Sequence, residues 1–136
     1  ELDFLLLKKN TSAEPITFEN LNTLRRIIPF TINHNLGEIV GAYNNKNELI
    51  SASFFIKSHQ KCINLLSASS EEGHALSADV AIFDHYIKEN AERLLTLDFG
   101  VSVENHHHEF AIGFGAIPVT YSRLKMKRWY DYIFHK

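Results

Sequence analysis

The chain has 136 residues, 45% of them hydrophobic and 22% charged, with a formal net charge of -2. That is the size and balance of one folded domain with one core, and it gives no wide basic footprint for nucleic acid or an anionic membrane. A lone cysteine, Cys62, excludes an internal disulfide and fits a reducing, cytoplasmic setting, and no run reaches the roughly 18 apolar residues of a membrane span.

Residues 1–15 read as a linker or as the end of a preceding element. Residues 2–7 form an apolar run closed by Lys8, and residues 8–15 are polar. The chain opens on Glu1 rather than Met, so a piece of a longer protein is the favoured reading. Thr17 is the expected N-cap of a first helix, with Ile16 and Leu21 placed to staple it. Leu24, Arg25 and Ile28 continue at helical spacing, and Pro29 is expected to end or kink the helix. A second stop signal follows at residues 33–37.

Residues 38–43 and 48–56 read as two strands paired across the polar turn 44–47. After another polar turn at 58–61, residues 62–68 form a third strand. Residues 69–77 read as a loop. From Ala78 to about Glu92 the spacing is helical, with Val80, Phe83, Ile87 and Ala91 as one stripe and Ile82 and Tyr86 beside it. Residues 94–99 form a short apolar strand. A second short helix is expected over about 103–113, and residues 117–125 alternate as a last strand. The tail, 126–136, is basic and aromatic. The order implies an α+β domain over residues 16–125. Its sheet should be mixed and mostly antiparallel, with one strand–helix–strand crossover and flanking helices.

Four runs then carry a resemblance. They are Ser51-Ala52-Ser53-Phe54-Phe55-Ile56, Leu66-Ser67-Ala68-Ser69-Ser70-Glu71-Glu72-Gly73, Leu97-Asp98-Phe99-Gly100 with Ser102, and the run from Gly113-Phe114-Gly115 to Arg123-Leu124. Together they resemble the GNAT acyltransferase superfamily, in the branch of the Fem-type aminoacyltransferases, some of which carry two such domains in tandem. The resemblance implies transfer of an acyl group to an amine, on a small molecule or a cell-envelope precursor. The donor would be acyl-CoA or acetyl-CoA, or aminoacyl-tRNA in the Fem-type enzymes, and no metal is implied. A companion GNAT-like domain or a homodimer is the implied partner.

In that fold the strand before the long helix splays from its neighbour and pairs with the donor's pantetheine arm. The next loop and the helix N-terminus hold the pyrophosphate. Leu66, Ser67 and Ala68 would then take the arm, with Leu65, and Ser69, Ser70, Gly73, His74 and Ser77 would surround the pyrophosphate. The loop departs from the pattern of a Gln or Arg followed by two spaced small residues. It holds Glu71, Glu72 and a single Gly73, with Asp79 beyond, and three carboxylates repel an anion. A surface loop capped by Ser77 is the alternative reading.

Glu104 and His106 are the candidate bases for the acceptor amine. Where such enzymes place a Tyr that protonates the leaving thiolate, this chain has Ala111. A non-catalytic GNAT domain that supports a partner is therefore the rival reading. His106 and His108 would share a side of an extended loop and could ligate zinc, a minority reading because adjacent histidines lack the usual ligand spacing. In a helix His107 falls on the stripe of Val103, Phe110 and Phe114. Cys62 is expected to be buried and inert. Asp98 reads either as a cleft acid or as a helix cap. The run from Lys125 through Trp129 to Phe134 is expected to pack rather than bind a polyanion.

Overall fold

The computed structural model describes residues 18–100 and 108–120. Helix α1, Phe18–Asn33, buries Ile28 completely and packs Leu24 and Ile27 beside it. Pro29 does not end it. The proline withholds the N–H that the Arg25 carbonyl would accept, which costs about 3 kcal/mol in a helix interior. Burial of Ile28 offsets that loss, and Thr31 Oγ1 adds bonds to the carbonyls of Ile27 (2.9 Å) and Ile28 (3.0 Å). The helix stops where Asn35 turns left-handed, with φ 56, and the Leu36 amide reaches back to the Thr31 carbonyl at 2.8 Å.

Strands β1 (Gly37–Tyr43), β2 (Leu49–Ser58) and β3 (Lys61–Ser69) form an antiparallel meander within two residues of the expected bounds. Asn44 shapes the first turn, its Oδ1 accepting the amides of Lys46 (2.9 Å) and Glu48 (3.0 Å). His59 and Gln60 make the second with φ of 48 and 62, the left-handed pair that a two-residue hairpin requires. Phe54 pairs with Leu66 and Phe55 with Asn64, so Leu65 is one residue too many and bulges.

The expected loop after β3 contains a short helix, α2, Glu71–Ala75, capped by Ser70. Its central Gly73 hides it from a periodicity reading. Helix α3, Ala78–Asn90, follows and leads to β4, Thr96–Asp98. β4 pairs in parallel with the start of β3, which gives the sheet order β1-β2-β3-β4. The mixed, mostly antiparallel α+β sheet is as expected.

Alternation along β2 assigns the two faces. Ala52 and Phe54 join Ile28 of α1 and Ala68 in one core cluster. The opposite face carries Ser53, Phe55 and Lys57 toward α3, where Phe55 stacks on Tyr86 at 3.9 Å and meets Phe83 edge-on at 5.6 Å. The buried face of α3 is rotated from the expected stripe. Ala78, Ile82, Phe83 and Tyr86 are buried, while Val80 and Ile87 stay 41% and 37% exposed. The aromatic contacts of Phe83 and Tyr86 with Phe55 fix that rotation.

The chain divides into two compact units, Glu1–Val101 and Ser102–Lys136. In the second, α4 spans His108–Gly113, and Phe110 meets Phe114 edge-on at 5.2 Å. Residues 116–120 form no strand, so the described part of the expected last strand is irregular. Thr17, Val103, Glu104, Asn105, His106, His107, residues 1–15 and the tail 126–136 lie outside the described residues, as do the side chain of Leu21 and the rest of the last strand. Among the described residues no helix is long and apolar enough to cross a membrane.

Candidate functional site

β3 and β4 run together for three residues only. Lys61 pairs with Thr96, Cys62 with Leu97 and Ile63 with Asp98, and there the ladder ends. Gly100 closes the seam, with φ 67 and a position where a Cβ would lie 2.2 Å from the Asn64 carbonyl oxygen. Beyond it, Leu65, Leu66, Ser67 and Ala68 have no strand on their β4 side among the described residues. Half of their main-chain groups point away from β2, because a strand directs its polar groups alternately to its two sides. Such an edge can bond an extended molecule that carries amides of its own.

The side chains around this edge are mostly committed to the fold. Leu66 packs against the α1 cluster, and Ala68 belongs to it. Ser69 Oγ lies 2.8 Å from Ser51 Oγ and is buried. Ser70 Oγ donates to the Ile50 carbonyl at 3.1 Å and accepts the Gly73 amide at 3.1 Å. A Cβ at Gly73 would come within 2.2 Å of the Ile50 carbonyl oxygen. The glycine thus lets α2 lie against β2. His74 is exposed, and its amide donates to the Ser70 carbonyl at 2.9 Å.

Ser77 stands at the α3 N-cap with φ 52 and makes no side-chain cap bond, which corrects the capping expected of it. The Val80 amide is taken by Asp79 Oδ1 at 2.9 Å. The amides of Ala78 and Asp79 take no partner among the described residues. These two N–H groups belong to the positive end of a 13-residue helix, which follows β3 and α2 in the chain. Of the three acids, Glu72 is held by Asn44 Nδ2 at 3.2 and 3.3 Å, Asp79 serves its own helix, and Glu71 is exposed. Ala75, two residues beyond Gly73, is a second small residue in this segment.

Asp98 accepts the Gly100 amide through Oδ1 at 2.9 Å and shapes the turn at the end of β4. Cys62 is fully buried, as expected, with Sγ 2.9 Å from the Tyr86 hydroxyl. Among the described residues no three of His, Cys, Asp and Glu gather into a metal-sized cluster. A cavity of about 190 Å³ lies between α3 and the β1–β2 pair, away from the fork, the place past Ile63 and Asp98 where the β3–β4 ladder ends. Along its wall Lys57 Nζ pairs with Glu38 Oε1 at 2.5 Å, and Arg93 Nη1 donates to the Asn90 amide oxygen at 3.3 Å. Asn64 and the Ser51 and Ser53 hydroxyls went unnoticed in the sequence. Their one signal was the small alternating Ser-Ala-Ser at the start of β2.

No family model and no curated protein sequence matches the chain. Solved structures do. The aminoglycoside 6'-N-acetyltransferase of Acinetobacter baumannii superposes with a TM-score of 0.63 at 12% identity, over 92% of this chain and 91% of that one. A ribosomal-protein-alanine N-acetyltransferase of Brucella melitensis biovar Abortus gives 0.63 at 11%, over 93% and 92%. A predicted acetyltransferase of Clostridium acetobutylicum, solved with acetyl-CoA, gives 0.63 at 16%, over 91% and 87%. At these identities the likeness shows a shared fold.

Proposed function

From a GNAT acetyltransferase fold in which, among the described residues, the β3 edge carries no strand and two amides at the start of α3 carry no partner, we propose that the chain moves an acyl group from acyl-CoA, acetyl-CoA first, to an amine. The open edge carries the reading. Pantetheine is extended and holds two amides, which match main-chain groups along Leu65, Leu66, Ser67 and Ala68. A pyrophosphate matches the Ala78 and Asp79 amides at the positive end of α3. In the transfer the amine nitrogen attacks the thioester carbonyl carbon and the carbon–sulfur bond breaks. Glu104 or His106 would take the proton from the amine. Ala111 has no proton to give, so the departing thiolate would take one from solvent or from that base.

The four sequence runs support a narrower version, a Fem-type enzyme with an aminoacyl-tRNA donor, a companion domain and a cell-envelope acceptor in the cytoplasm. A second reading is a GNAT domain without catalysis, favoured by the acids Glu71, Glu72 and Asp79 and by Ala111. Titration calorimetry with acetyl-CoA, followed by transfer assays with amine acceptors and both donor types, separates these. Saturable acetyl-CoA binding and turnover that falls at least about a hundredfold in Glu104→Ala or His106→Ala are the expected results. No binding would favour the scaffold, and full activity in both variants would remove them as bases.

A further inference from the structure

Asn64 and Ser67 are three residues apart, a spacing that puts side chains on opposite faces of a regular strand. The extra residue Leu65 cancels that alternation, so both turn toward α3. Ser67 Oγ donates to Asn64 Oδ1 at 3.1 Å, across the bulge. Ser53, opposite Ser67 on β2, brings its Oγ within 2.9 Å of Ser67 Oγ. Ser67 Oγ thus touches both Ser53 Oγ and Asn64 Oδ1, and the three side chains form one connected polar group across the bulge.

That group sits where β3 changes character. Gly100 packs its backbone so close to the Asn64 carbonyl that no side chain would fit there, and the edge without a strand starts at the next residue. Asn64 is only 8% exposed, and its Nδ2 is buried without a hydrogen-bond partner among the described residues. Leaving a buried donor idle costs stability. An apolar residue would avoid that cost but could not grip Ser67.

We propose that Ser53, Ser67 and Asn64 are positioning residues. They clamp the β3 bulge in the shape that presents the edge from Leu65 to Ala68 to the acyl donor. The proposal rests on the donor reading above. Bulges re-aim the groups around them, and an unclamped bulge can shift its extra residue along the strand. The clamp therefore acts on donor affinity through the backbone, with no side chain touching the donor.

The test uses the full chain and its Ser67→Ala, Ser67→Thr and Ser53→Ala variants. Acetyl-CoA affinity is measured by calorimetry well below each melting midpoint, and the backbone amide signals of Leu65 and Leu66 by NMR. Ser67→Ala is expected to bind about tenfold more weakly, the scale of one lost hydrogen bond, and to move both amide signals. Ser67→Thr, which keeps the hydroxyl, should restore both. Ser53→Ala reaches the same group from β2 if Ser67→Ala does not fold. A role in stability alone would lower the midpoint and leave affinity and signals unchanged, and that result overturns the clamp while the donor reading stands. If the unchanged chain binds no acetyl-CoA, the donor reading fails and the clamp falls with it.

Discussion

Burial beneath α3 keeps both Cys62 and Tyr86 in their neutral forms. Burial pushes the Cys62 thiol above its ordinary 9.0, although the Tyr86 hydrogen bond and the nearby Lys57 pull the other way. Burial also pushes Tyr86 far above the usual phenol range, and Cys62 and Glu38 add to the push. Both groups are acids whose folded values exceed their unfolded ones. Their contribution to stability is full below the unfolded thiol value near 9.0 and is lost as the pH rises beyond it, because the unfolded chain gives up the protons first. The melting temperature should hold steady up to about pH 8.5 and fall above about pH 9. A Cys62→Ala, Tyr86→Phe double variant should melt lower at neutral pH but decline less steeply, which calorimetric scans from pH 7 to about pH 10.5 would show. A parallel decline in both proteins would mean that other groups govern the alkaline limit.

Elements whose signal lies in alternation and turn chemistry were legible in the sequence. The Asn44 turn and the left-handed His59-Gln60 pair bracket β2, and the strands lie within two residues of their expected bounds. Where tertiary packing outweighs local preference, the reading missed. Of the two outcomes expected at Pro29, an end or a kink, the end is not seen: α1 runs on past the proline, with Ile28 fully buried beside it. α3 turns its Tyr86 edge inward because stacking on Phe55 outweighs the apolar count of the Val80–Ile87 stripe. Pro29→Ala should accordingly stabilise the chain by about 1–2 kcal/mol, since it returns an N–H to the Arg25 carbonyl and removes the ring clash. Urea unfolding checks this. A loss of stability would show that a bend at Pro29 is needed to seat Ile28.

At the scale of the whole molecule the fold was more legible than the site. The sheet order and the crossover follow from the sequence of elements, but an open main-chain edge has no side-chain signature. Ser69, Ser70 and Gly73 drew attention as ligands, and the structure spends them on contacts with β2. Among the described residues the groups without a partner there are main-chain amides, which every residue but proline carries. The three-residue seam between β3 and β4 has a further consequence, for how the first unit breathes. β2 is paired on both sides and buried along most of its length, whereas β4 hangs on three pairs with two of its three residues exposed. Releasing β4 is then a subglobal opening, well below the cost of global unfolding. In deuterium exchange the Leu97 amide should trade its proton orders of magnitude before that of Phe54. The fork can thus widen and close many times while the meander behind it stays intact.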